Sequence, residues 1–177
     1  MSETLLHGIP RWGIKECPVL ESYQNSHGSA PVIWHFLTQR YLNKSSYYLL
    51  DDDKELWSLS RRSDVPEPFR QVMKMTYDRA VILSADIPKA VADIETILKN
   101  FPLPTNEVNH WAQIAEDLQK HNAKGKYLGF GFCMTTIGET FFQGEEYEKN
   151  GKWLRRRIDW KGEGFWSIYQ ATNDSQP

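Results

Sequence analysis

A chain of 177 residues with 40% hydrophobic and 25% charged residues is long enough to bury its own core as a single domain, 1–177, without a disulfide framework. Its formal net charge of -2 gives no long-range field towards nucleic acid or anionic lipid, and no apolar run approaches the roughly 18 residues that span a bilayer. Cys17 and Cys133 fall in no CxxC spacing and read as reduced thiols, and the first residues lack the basic-then-apolar pattern of an export signal, so the expected location is the cytoplasm.

Residues 1–31 carry Gly8, Pro10, Gly13, Pro18, Gly28 and Pro31, a density of breakers that predicts an irregular arm. Pro31 then opens a short helix on which Val32, Ile33, Phe36, Leu37 and Tyr41 recur at near-helical spacing. Residues 47–50 and 56–60 are aromatic or alternating segments on either side of Asp51-Asp52-Asp53-Lys54-Glu55, which predicts a hairpin with the acidic run at its tip. A short helix over residues 69–75 and a buried strand over Arg79-Ala80-Val81-Ile82-Leu83 follow.

Ile87, Ala90, Val91, Ile94, Ile97, Leu98 and Phe101 lie on one side of a helical wheel, with Asp86 as N-cap and Pro88 in the first turn. A second amphipathic helix is predicted from Thr105 or Asn106 to His121. It would bury Val108, Trp111, Ala112, Ile114, Ala115 and Leu118 and turn Asn109, Glu116, Asp117 and Lys120 to water. From Tyr127 the period becomes two, with Leu128, Phe130, Phe132 and Met134 on one face and Gly129, Gly131, Cys133 and Thr135 on the other. Another backbone or a helix is expected against that bare face. Strands over residues 141–148, 153–160 and 165–170 complete the pattern, with Asn150-Gly151 as a two-residue turn and a frayed tail at 172–177. The expectation is α+β: an antiparallel sheet, a meander in its C-terminal third, packed with two central amphipathic helices and a shorter N-terminal one.

Catalytic patterns are sparse. The five histidines, at 7, 27, 35, 110 and 121, make no HExxH, His-x-His or Cys/His quartet, and the sequence implies neither a metal nor a nucleotide cofactor. Cys133 on an apolar strand reads as an inert core thiol. Arg155-Arg156-Arg157 between Trp153 and Trp160 has the mix of charge and aromatic rings used to hold single strands. Alternation would split those arginines between faces, however, and Glu145, Glu146 and Glu148 are natural cross-strand partners for Arg155 and Arg157. The acidic run is then the better interface, because like charges held together cost free energy unless a basic partner uses them.

The strand 79–83 leading into Asp86-Ile87-Pro88 and its helix, His110-Trp111-Ala112-Gln113-Ile114-Ala115, Tyr127-Leu128-Gly129-Phe130-Gly131-Phe132 and Glu139-Thr140-Phe141-Phe142 together resemble the immunity proteins of bacterial polymorphic-toxin and contact-dependent growth inhibition systems. The resemblance covers about the second half of the chain and carries over no individual site residue. It implies a cytoplasmic protein, not an enzyme, that neutralises a cognate toxin domain, often a nuclease. Asp51, Asp52, Asp53 and Glu55, with Glu145, Glu146 and Glu148, would supply charge, and Tyr47, Tyr48 and Trp57 would supply anchors. Two other classes stay open: a small enzyme whose cleft joins Glu139, Asp159 and His110, and a nucleic-acid adaptor using the arginine triplet.

Overall fold

The computed structural model describes residues 2–11, 17–101, 108–134, 142, 146–155 and 164–170. Its centre is a five-stranded sheet in the order β2-β1-β4-β3-β7, built from β1 (Glu3–Pro10), β2 (Val19–Gln24), β3 (Ala80–Leu83), β4 (Tyr127–Cys133) and β7 (Trp166–Ser167). A separate ribbon pairs β5 (Glu146–Lys149) with β6 (Lys152–Arg155). The helices are α1 (Ala30–Tyr41), α2 (Asp53–Ser58), α3 (Glu67–Met75), α4 (Ile87–Asn100) and α5 (Trp111–Asn122). The α+β class holds, with a correction. The sheet is mixed, because β7 runs parallel to β3, and β4 inserts between β1 and β3 instead of starting a meander.

The largest correction lies within residues 1–31, where an irregular arm was expected and Glu3–Pro10 and Val19–Gln24 are strands of the sheet. The breakers sit where a ladder tolerates them. Gly8 lies under Tyr127, whose ring carbon stands 2.6 Å from where a Cβ would be, and Pro10 ends β1. The register shifts between Leu6 and His7 against β2, and between Ile9 and Pro10 against β4.

Alternation along the strands sorts side chains between two cores. Leu6, Ala80, Ile82, Phe130 and Phe132 face the helices and join Ile33, Leu37, Val72, Ile94, Trp111 and Leu118 in the main core. Trp111 is fully buried and its indole N–H donates to Ser29 O at 2.9 Å, tying α5 to the start of α1. On the opposite face Ile9, Cys17, Val81 and Phe142 make a smaller cluster. The bare glycine face of β4 is closed in two ways. A Cβ at Gly129 would meet Ile82 O at 2.7 Å, the close backbone that was expected, whereas one at Gly131 would meet the Phe142 ring at 2.1 Å.

The segments 47–50 and 56–60 are not a hairpin. Tyr47–Leu49 is a 3-10 turn and α2 follows, because two short polar side chains capture backbone N–H groups. Ser46 Oγ accepts from Tyr48 N at 3.2 Å, and Asp52 Oδ1 accepts from Lys54 N at 2.8 Å as the N-cap of α2. Aromatic β-propensity yields to these local bonds and to packing.

The short helix and strand expected over 69–75 and 79–83 are α3 and β3, and α4 spans the expected stretch, with Pro88 in its first turn. Asp86 makes no side-chain cap bond there; it ends a 3-10 turn over Ser84–Asp86. The start expected for the next helix, Thr105 or Asn106, lies outside the described residues. The α5 helix begins at Trp111, where Asn109 Oδ1 accepts from Trp111 N at 2.8 Å. Val108 and Ala112 are exposed rather than buried, and Asp117 is buried rather than facing water. Asn150 and Gly151 have φ of 54° and 69°, the paired positive values of a type I′ turn, so the hairpin expected there is present. The strand expected over 165–170 shortens to two residues. The tail 172–177 lies outside the described residues.

Candidate functional site

The acidic run and its neighbouring aromatics share one surface, assembled by the 3-10 turn and α2 rather than by a hairpin tip. Tyr48 is 66% exposed and Leu49 58% exposed, while Asp51, Asp52 and Asp53 are exposed and Glu55 is half-buried. Helix geometry accounts for part of the negative charge: Asp52 caps α2, and Asp53 and Glu55 occupy its first turn, where the helix dipole favours anions. Lys44 reaches across, with Nζ 3.7 Å from Asp51 Oδ2 and 3.8 Å from Glu55 Oε2 and donating to Leu49 O at 3.2 Å. One ammonium therefore reaches two of the four carboxylates, Asp51 and Glu55, at distances too long for a strong pair.

The three aromatics expected as anchors divide. Tyr48 stands out into solvent. Tyr47 is half-buried, 4.1 Å from Tyr48, 4.7 Å from His35 and 5.3 Å from Trp34 between ring centroids, and burial pushes its phenol pKa up. Trp57 packs edge-on to Trp34 at 5.5 Å and to Tyr77 at 4.7 Å, and its carbonyl accepts from Tyr77 Oη at 3.0 Å. Trp34 thus links Trp57 to Tyr47, and the Tyr47 ring lies against the exposed Tyr48.

The second acidic cluster is not assembled with the first. Glu145 lies outside the described residues. The β5–β6 register sets Glu146 opposite Arg155, as the internal-pairing reading requires, but it sets Glu148 opposite Trp153, which is 71% exposed. Arg156, Arg157, Glu139 and Asp159 lie outside the described residues. His110, proposed for an enzymatic cleft, is committed elsewhere: its Nε2 lies 2.8 Å from Gln24 O and 3.1 Å from Asn25 O, donating to the end of β2.

A different polar cluster was not anticipated. Glu21 on β2 meets Asp117 and His121 on α5, with one ligand-type atom from each lying within 4.8 Å of the others. His121 Nε2 lies 2.8 Å from Glu21 Oε1, Lys120 Nζ lies 2.6 Å from Glu21 Oε1 and 3.4 Å from Asp117 Oδ1, and Tyr23 Oη donates to Asp117 Oδ2 at 3.0 Å. Lys120, then His121, hold the Glu21 carboxyl below the usual range, and burial pushes the Tyr23 phenol up. The donor set does not suit a cation. Lys120 already neutralises the carboxylates, and Lys124 Nζ at 3.3 Å from His121 Nδ1 offers only protons, which leaves the ring proton on Nε2, where a metal would have to bind. The cluster is an ion-pair network joining β2 to α5. Asp117, Lys120 and His121 recur at helical spacing on one side of α5, a signal that the arm reading of residues 1–31 deprived of a partner.

His7 is buried. Its Nδ1 lies 3.2 Å from Cys17 O and carries the proton, the ring stacks on Phe142 at 5.0 Å, and burial lowers its pKa. Cys17 and Cys133 are both buried. No helix among the described residues is long and apolar enough to cross a membrane. No family model, curated protein or solved structure matches the chain.

Proposed function

We propose that this chain is an immunity protein that binds and neutralises a cognate toxin domain, using the surface formed by the 3-10 turn and α2. The observation that supports this reading is the placement of exposed Tyr48 and Leu49 beside Asp51, Asp52, Asp53 and Glu55, with Lys44 as the one cation paired to them among the described residues. Aromatic and aliphatic anchors rimmed by charge suit a protein partner, and acidic side chains speed association with a basic one. A nuclease is the toxin class that fits, because it must present positive charge to phosphate, and an acidic occluding face complements it. Tyr48 and Leu49 are the anchors in this reading, with Tyr47 against Tyr48 and Trp57 linked to Tyr47 through Trp34.

Co-expression tests it. The chain should relieve growth arrest by a toxin domain from the same genome and co-purify with it at fixed stoichiometry. Changing Asp51, Asp52 and Asp53 to Asn and Glu55 to Gln should weaken that complex by about tenfold or more, chiefly in the association rate. Retained protection with unweakened binding would move the interface elsewhere. Failure of a folded chain to protect against any such toxin would end the proposal.

A further inference from the structure

His7 has no exposed surface, and alternation along β1 places it with Leu5 and Ile9 on the sheet face opposite the main core. It is a node of the small cluster there. Its Nδ1–H donates to Cys17 O at 3.2 Å, the Cys17 N–H donates to Phe142 O at 3.0 Å, and the Phe142 ring stacks on the imidazole at 5.0 Å with 16° between the planes. Register sets His7 opposite Gly131 of β4, the glycine whose missing side chain the Phe142 ring replaces. Three residues thus hold one another over the bare strand.

The enclosed ring is built for one proton. Nδ1 is committed to Cys17 O, and Nε2 is buried with no partner among the described residues. A proton added at Nε2 would make a buried cation with an N–H that lacks an acceptor, and the face of the Phe142 ring offers it only weak compensation. The described elements around the ring bring no counter-charge. Gly129, Gly131 and the Cys133 thiol lie on β4, Val19 stands opposite His7 on β2 with the Cys17 thiol just before it, Val81 comes from β3, and Phe142 closes the layer. Glu3 shares the face of β1 but stands four residues away, roughly 13 Å along the strand, and accepts from Gln24 Nε2 at 3.1 Å. Burial accordingly lowers the His7 pKa.

We propose that His7 is an acid-sensitive latch: a second proton, at Nε2, opens the contact among His7, Cys17 and Phe142 and uncovers the glycine face of β4 while the main core stays folded. Leu6 and Phe130, on the other side of the same strands, pack with the helices, so the small cluster can open without them. An opened His7 takes its proton near the ordinary value of 6.5, and the closed ring does so only at lower pH. The latch is therefore shut above about pH 6.5, and below that the ratio of open to closed rises about tenfold per pH unit until the closed ring also titrates. The device is independent of the toxin-binding surface.

Amide hydrogen exchange on the full chain, followed from about pH 7.5 to 5 and expressed as protection relative to the unstructured rate at each pH, reads the opening at the Cys17 N–H. Its protection should fall about tenfold per unit below about pH 6.5. It should also stay below that of the Leu118 amide within α5 at every pH, the mark of local opening as opposed to global unfolding. His7→Phe keeps an aromatic ring that cannot titrate, so its Cys17 protection should lose the pH dependence whatever its level. His7→Asn, which keeps a donor for Cys17 O, repeats the test should His7→Phe fold poorly. The remaining histidines titrate in parent and variants alike, so the difference in slope belongs to His7. A flat Cys17 profile in the parent, an unchanged slope in the variants, or Cys17 protection equal to that of Leu118 throughout would overturn the proposal.

Discussion

The chain carries two groups of carboxylates, and it treats them oppositely. Both Asp117 oxygens and Glu21 Oε1 have donors within 3.4 Å, drawn from Tyr23, Gln113, Lys120 and His121, and the Asp117 side chain is 6% exposed. Around Asp51, Asp52, Asp53 and Glu55 the donors are a capping N–H and one lysine at 3.7 Å and 3.8 Å, and the Asp51 side chain is fully exposed. A carboxylate that holds two elements together is enclosed and satisfied. Those of the run are exposed and loosely paired, the state that the proposed partner-binding role requires. The count of acidic residues does not separate the two cases; the donors facing them do.

Breaking the enclosed network should have the largest effect. Asp117→Ala strands the buried Tyr23 hydroxyl and removes the acceptor between β2 and α5, and should cost about 3 kcal/mol in urea denaturation. A loss below about 1 kcal/mol would mean that the network contributes little. Within the exposed run one residue is structural: Asp52→Ala removes the cap of a six-residue helix and should cost about 1 kcal/mol, whereas Asp52→Asn should be nearly neutral. Equal losses from both would show that the charge, not the cap, supports α2.

Acid titration tests the enclosed network. Because the folded Glu21 carboxyl lies below its ordinary value of 4.5, the unfolded chain binds the proton first as pH falls. Its contribution is complete above that value and is lost as pH drops through the folded one. Glu21→Gln should therefore flatten the fall in denaturation midpoint between about pH 5 and 3 relative to the parent chain. The smallest effect is expected from Asp51→Asn, Asp53→Asn and Glu55→Gln combined, which should leave the urea midpoint unchanged or slightly raised. A clear fall would make this surface a structural device like the first.

Much of the fold is legible where one periodicity dominates. Ile87, Ala90, Val91, Ile94 and Ile97 mark α4, the alternation from Tyr127 marks β4, and Asn150-Gly151 marks its turn. The N-terminal strands escape notice because Gly8, Pro10 and Pro18 lie in or beside them, and only tertiary cover from Tyr127 makes that composition tolerable. The exposed site is readable as composition, but its geometry is not. Ser46 and Asp52 decide between hairpin and helix through single hydrogen bonds, a competition that aromatic residues at 47 and 48 conceal. Asp117 reads as a solvent-facing helix residue until β2 supplies Glu21 and Tyr23.

The order of strands in the sheet has a consequence for biosynthesis. The inner edge of β1 pairs with β4, roughly 120 residues later in the chain, so at ribosomal rates of roughly 5–20 residues per second that edge goes unmatched for roughly 6 to 24 s. During this interval the β1–β2 hairpin presents an apolar strand with open backbone groups, the kind of edge that recruits other chains. A nascent chain interrupted before β4 is complete should therefore be a holdase client, and the yield of active protein should depend more on chaperone supply early in translation than on the stability of the finished fold.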